Sequence, residues 1–255
     1  MLSKLLAHPL TRGLDIDAPE TSALRARIIR EKAFLHRIYG EWYEMLMSTL
    51  PRIPGQVIEL GSGGGFLAER LPGVITSEVF FLPFVRLVAS GLALPLQSSS
   101  LRSILMIDVL HHLPDLPRFF REAGRTVKPG GVLAMIEPWN SPWSSLIYRH
   151  LHHETMDTTA QDWTLSGSRP LKDANIALPW IVFKRDKSRF EKEFPEWRLI
   201  HVRPFMPLRY LLSGGISLRS LMPGWSFGFW TGVEKLAGPL AAKSGMFAHI
   251  VLEHT

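Results

Sequence analysis

Val57-Ile58-Glu59-Leu60-Gly61-Ser62-Gly63-Gly64-Gly65 decides how this chain is read. A run of strand character stops at an acidic residue and then breaks into four glycines. The apolar part has the composition of a buried strand. Gly61, Gly63, Gly64 and Gly65 let the chain turn sharply and let a ligand press against bare backbone. Glu59 puts a carboxylate at the strand's C-terminal end, where open parallel sheets bind their ligands. A dinucleotide fingerprint, G-x-G-x-x-G, would need its third glycine at position 66, where Phe66 stands; the lysine of a phosphate-binding loop is also missing.

The segments that follow repeat this strand-to-acid logic. Gly73 to Val79 (GVITSEV) reads as a second strand with Glu78 at its end. Ile104 to Asp108 runs into Val109-Leu110-His111-His112-Leu113, and Lys128-Pro129-Gly130-Gly131 precedes an apolar strand that closes on Glu137-Pro138. The E-x-G-x-G-x-G stretch, the LALPL segment at 92–96, the DVLHHL sequence and the KPGG turn stand in an order that resembles the class I S-adenosylmethionine-dependent methyltransferases, their type 11 branch in particular. The resemblance runs from about residue 55 to 138.

That resemblance implies S-adenosylmethionine as cofactor. It implies that Glu59, Gly61, Ser62, Gly63 and Gly65 wall its site, and that Glu78 takes the ribose hydroxyls, as a carboxylate accepting from two vicinal donors can. It implies further that Ser90, Gly91 and Leu92 lie beside the adenine, and that Asp108, Val109 and Leu110 close the other side. Two positions depart from the family pattern. Ser90 stands where an acid often meets the adenine amino group. Only Val79 to Phe84, including Pro83, links the second and third strands, too short for the usual helical crossover between parallel strands.

The 255 residues suffice for one large α/β domain or one domain with an insertion. A hydrophobic content of 46% beside 20% charged residues excludes a disordered chain. No stretch is long and apolar enough for a membrane span, and the short apolar N-terminus, interrupted at His8-Pro9, does not read as a signal peptide. With no cysteine there is no disulfide, thiolate metal site or cysteine nucleophile, and a cytoplasmic location is expected. The net charge of +6 is scattered, as on a solvated surface; the sharper alternative is attraction to an anionic partner such as a membrane surface, and without a recognisable binding motif nucleic acid is not expected.

Helical spacing of Leu24, Ile28, Leu35, Ile38, Trp42 and Met45 predicts one basic amphipathic helix over 21–48, capped by Thr21 or Ser22, lying over the cofactor site or on a membrane surface. Strands are predicted near 56–60, 73–78, 85–89, 103–108 and 132–137, helices near 64–71 and 115–127, and a closing pair of strands at 197–204 and 247–254. The expected architecture is α/β: a Rossmann-like, seven-stranded, mostly parallel sheet with flanking helices, an N-terminal helical lid and an insertion after strand five. Residues 1–54 form the cap, 55–138 the cofactor core, 139–195 the insertion and 196–255 the elements that complete the sheet.

Methyl transfer from a sulfonium is an in-line displacement, so alignment of the reactants supplies much of the rate. A base is needed only where the acceptor loses a proton. His111 and His112 stand at the end of strand four as candidates for that base, and Glu137 at the end of strand five could orient the acceptor or cap a helix. Seven of the eight tryptophans lie beyond residue 138. Trp139, Tyr148, His150 and His153 are the expected acceptor contacts, the acceptor being a small or lipid-like molecule methylated on oxygen or carbon. The cluster His150, His152, His153 and Glu154 lacks the H-E-x-x-H arrangement, and no metal is expected. The alternative reading is a methyltransferase-like scaffold that has lost catalysis, suggested by Ser90 and the short 79–84 link.

Overall fold

The computed structural model describes residues 8–11, 21–151, 154–165 and 173–255. Seven strands form one sheet: β1 (Gln56–Leu60), β2 (Ile75–Glu78), β3 (Leu87–Val88), β4 (Leu101–Ile107), β5 (Val127–Pro138), β6 (Trp197–Phe205) and β7 (Phe247–His254). Their order is β3-β2-β1-β4-β5-β7-β6. The first five run parallel, and β7 lies antiparallel to both β5 and β6. This is the Rossmann-like sheet expected from the sequence. β2 and β3 lie on one side of β1, and β4 and β5 on the other. The chain therefore reverses its direction of winding between β1 and β4, where such sheets open a crevice at their strand ends.

The helices are α1 (Ser22–Glu31), α2 (Ala33–Met47), α3 (Leu67–Arg70), α4 (Leu116–Thr126), α5 (Pro142–Leu151), α6 (Leu178–Trp180), α7 (Lys187–Glu193), α8 (Arg209–Ser213), α9 (Phe227–Ala237) and α10 (Pro239–Lys243). α4 starts where Asp115 accepts a hydrogen bond from the Arg118 amide at 2.9 Å, an N-cap of the ordinary kind. α5 starts likewise, with Ser141 Oγ accepting from the Ser144 amide at 3.0 Å.

Three local expectations are corrected. The helix predicted over 21–48 is two helices broken at Lys32, whose φ/ψ of −84°/88° is not helical. Lys32 is buried and its ammonium donates to the carbonyls of Gly215 and Leu218, a tertiary demand that local periodicity does not register. Thr21 makes no side-chain cap. The helix expected over 64–71 shrinks to the single turn of α3, because the glycines hold residues 61–65 in the loop.

The 79–84 link is non-helical, as its length required. With no helix there, Phe81, Phe84 and Val88 remain exposed at that edge. Two hydrophobic layers cover the faces of the sheet. One joins α4 to the segment after β5, where Phe120 packs edge-on against Phe183 and Phe190 at 6.0 and 5.0 Å. The other buries Phe34, Leu35, Ile38, Trp42, Tyr43 and Leu46 of α2, of which the spacing predicted Leu35, Ile38 and Trp42.

Candidate active site

The glycine loop is held by short polar ties to the strands around it. The Ser62 amide donates to the Ser77 carbonyl at 2.9 Å, and Ser77 Oγ donates to the Glu59 carbonyl at 2.8 Å. Gly61 has φ +66°, and a Cβ there would sit 2.4 Å from Val109 Cγ2; only glycine meets both demands. The Gly63 amide donates to Glu78 Oε1 at 2.8 Å. The loop and the acid at the end of β2 are thus one rigid unit before any ligand arrives.

Glu59, Ser62, Gly63, Glu78, Ser90 and Asp108 all line one cavity of about 470 Å³, within the range of small-molecule sites. Burial pushes Glu59 up to about 8, against the support that the Ser62 and Tyr43 hydroxyls give the charged form. Burial likewise raises Glu78, against hydrogen bonds from the Val79 and Gly63 amides. Asp108 is pushed up to about 7, again by burial, with His111 opposing; its φ of +55° is rare for a residue with a side chain. Three carboxyl groups so raised in one cleft mark a site that awaits a polar or cationic ligand. A glycine loop bare of side chains and two strand-end acids fit the adenosyl and methionine parts of S-adenosylmethionine.

Glu137, expected at the crevice, is fully buried and stands outside the cavity lining. Its Oε1 accepts from the Val109 and Leu110 amides, both at 2.8 Å, and its Oε2 lies 2.7 Å from His111 Nδ1. His111 Nε2 in turn lies 3.5 Å from Glu154 Oε2, and His112 Nε2 3.5 Å from Glu154 Oε1. Burial works to lower the His111 pKa, but the two carboxylates outweigh it and hold the ring up to about 10. The pairing with Glu137 and Glu154 thus favours the protonated form of the ring in the ligand-free protein. Glu137 thus anchors the loop that carries His111.

The other expected contacts divide. Gly61, Gly65, Gly91, Val109, His112 and Tyr148 line the cavity. Leu110 is buried beneath it. Leu92 faces a separate shallow groove with Arg118 and Arg125. Trp139 is buried in the layer beneath the sheet and His150 is exposed on α5, so neither wall includes them. His153 lies outside the described residues. Sequence reasoning missed Glu154 as a partner of His111 and His112, and it missed Arg25, Tyr39, Tyr43, Tyr210 and Phe247 as cavity walls. The long separation between Glu154 and the DVLHHL segment left no local signal for their meeting.

Residues 58–135 match the family model of the methyltransferase domain. No curated protein matches the sequence. Among solved structures, the chain is similar to a geranyl diphosphate C-methyltransferase from Streptomyces coelicolor A3(2), crystallised with Mg2+, geranyl diphosphate and S-adenosyl-L-homocysteine. The two share 17% identity, with 98% of this chain and 92% of that one covered and a TM-score of 0.53. It is also similar to a possible histamine N-methyltransferase from Thermotoga maritima, at 16% identity, with coverage of 92% and 94% and a TM-score of 0.51. At such identities the likeness is one of fold. Residues 58–135 thus match a methyltransferase domain, on a fold shared with solved S-adenosylmethionine-dependent methyltransferases.

Proposed function

We propose that this methyltransferase acts on a small, lipid-like acceptor, methylating oxygen or carbon, at the face of an anionic membrane. The observation that carries the reading is the make-up of the cavity's far half. Tyr39, Tyr148, Tyr210, Phe247 and Ile216 wall it, with His112 and Glu154 as the polar groups at its edge. Apolar walls with a few convergent polar groups suit a mostly hydrocarbon acceptor with one polar reacting end. S-adenosylmethionine supplies the methyl group. The chain's part is to align the acceptor: the aromatic walls seat its apolar body and exclude water, and His112 and Glu154 orient its reacting group.

The membrane part rests on one surface. Trp225 is 84% exposed, Phe229 67%, Leu236 90% and Leu240 69%, spaced along one face of α9 and its flanks. Arg219, Lys235 and Lys243 are exposed around them. The single acid between residues 217 and 246 is Glu234, which is buried against Arg209. An apolar face ringed by cations with no exposed acid suits an anionic bilayer. Ile216 and Ser217, which line the cavity, adjoin this face in sequence, so an acceptor leaving the lipid would meet the cavity there.

Calorimetric titration with S-adenosylhomocysteine tests the cofactor half. Binding near about 1 μM is expected, and no heat up to millimolar ligand would support the scaffold alternative, for which Ser90 and the helix-free 79–84 link speak. Sedimentation with phosphatidylserine vesicles at low salt tests the membrane half. Wild-type protein should pellet and the Phe229→Ser/Leu236→Ser variant should not. Wild type that stays in the supernatant sinks the membrane reading.

A further inference from the structure

We propose that His111, His112 and Glu154 hold a divalent cation in the acceptor half of the cavity. Two imidazoles and one carboxylate are a ligand set for a first-row divalent ion such as Zn2+ or Fe2+. Each oxygen of Glu154 faces a different ring, at 3.5 Å from His111 Nε2 and 3.5 Å from His112 Nε2. The three ligand atoms lie within 4.8 Å of one another. A separation of 3.5 Å is long for a good hydrogen bond. It fits two ligands of one ion, since atoms about 2.1 Å from a cation at a near-tetrahedral angle stand about 3.4 Å apart.

A second observation concerns how His111 is held. Its Nδ1 meets Glu137 Oε2 at 2.7 Å, which keeps the proton on Nδ1 and turns Nε2 toward the cavity. Glu137 is itself fixed by the Val109 and Leu110 amides. A carboxylate behind the outer nitrogen of a histidine is the arrangement that orients metal-binding rings. The two rings lie with centroids 4.2 Å apart and tilted by 39°. A dication there would offset the carboxylates of Glu137 and Glu154 at a buried corner.

Three protein ligands leave at least one coordination position open, and the cluster lines the same cavity as the glycine loop. The open position therefore faces the acceptor, which would bind through an oxygen donor. Cation binding itself requires neither the acceptor assignment nor the membrane face.

Cobalt is the probe, because its visible spectrum reports coordination directly. The full chain, stripped with a chelator, is titrated with Co2+ without cofactor. One equivalent is expected to bind, with the intense absorption of a low-coordinate site. His112→Asn and Glu154→Gln should each weaken binding tenfold or more, and Glu137→Gln about 10- to 100-fold through the orientation of His111. Thermal unfolding by circular dichroism checks that the variants are folded; if Glu154→Gln is not, His112→Asn, at a partly exposed residue, decides alone. Less than stoichiometric cobalt in the wild type, or binding unchanged in folded His112→Asn, overturns the site. A parallel titration with S-adenosylhomocysteine reports the cofactor pocket separately, so failure of one reading is not mistaken for failure of the other.

Discussion

Two buried glutamates in this molecule do the same thing locally and different things globally. Glu137 accepts from the consecutive amides of Val109 and Leu110 and pairs with the side chain of His111. Glu234 accepts from the consecutive amides of Leu208 and Arg209, both at 2.9 Å, and pairs with the Arg209 side chain at 2.5 Å. Each closes the start of a short helix. The difference lies in what the paired side chain has left over. Arg209 also donates to Glu41 at 2.7 Å and Thr231 at 3.0 Å, and it stacks over Phe227 at 5.0 Å. That network joins α2, α8 and α9. His111 keeps its second nitrogen facing Glu154 and the cavity. A charge network that ties helices to one another is a staple; one with a member turned toward a cleft is a candidate site.

The largest effect should come from breaking the staple. Glu234→Ala leaves Arg209 buried without its main partner and should cost about 3–5 kcal/mol, a large part of a domain's stability. Urea unfolding measures it, and a loss below about 1 kcal/mol would mean the network is not structural. Gly63→Val comes next and acts on the site instead. Its φ is +38°, and a Cβ would press at 3.3 Å on Glu78 Oε1. S-adenosylhomocysteine affinity should fall at least a hundredfold, about 2.7 kcal/mol, while circular dichroism stays native; unaltered affinity would displace the cofactor from this loop.

Glu137→Gln is the direct counterpart of the first variant. It should cost about 1–3 kcal/mol of stability, less than Glu234→Ala because the corner it anchors opens to the cavity, yet it should lower methyl transfer tenfold or more. A variant with full turnover would reduce Glu137 to a second staple. The smallest effect concerns Glu59. Its folded pKa of about 8 lies above its unfolded value of 4.5, so the native state holds a proton that the unfolded chain has released between those limits. Stability from this group is complete below the lower value and is lost as pH rises toward the upper one. Glu59→Gln should therefore stabilise the cofactor-free protein at pH 8 by about 1 kcal/mol, with a flatter stability profile between pH 5 and 8. Melting curves across that range decide it, and parallel wild-type and variant profiles would refute the raised pKa.

The contrast also separates what could be read along the chain from what could not. Strand ends at Glu59, Glu78 and Glu137 were legible because a buried parallel strand writes itself as an apolar run, and the turn after it needs glycine or a capping acid. Antiparallel β7 was legible as an apolar run, and β6 as a half-exposed strand mixing apolar and charged residues. The break at Lys32 was not, since carbonyls at Gly215 and Leu218 make it. Nor were the partners of His111: only the fold brings Glu137 and Glu154 to its ring. Trp139 and His150 followed composition into the acceptor wall, whereas burial under the sheet and exposure on α5 keep them out of it.

The sequence by itself determined the sheet and the glycine loop, because those depend on continuous apolar runs and on glycine turns among neighbouring residues. Tertiary structure alone decided the rest of the cavity. Its walls come from α2, α5, the loop at Glu154, the segment after α8 and β7, and its chemistry depends on charges that meet across long stretches of chain. Desolvation and pairing in such a corner set which groups carry protons, and no local pattern encodes them.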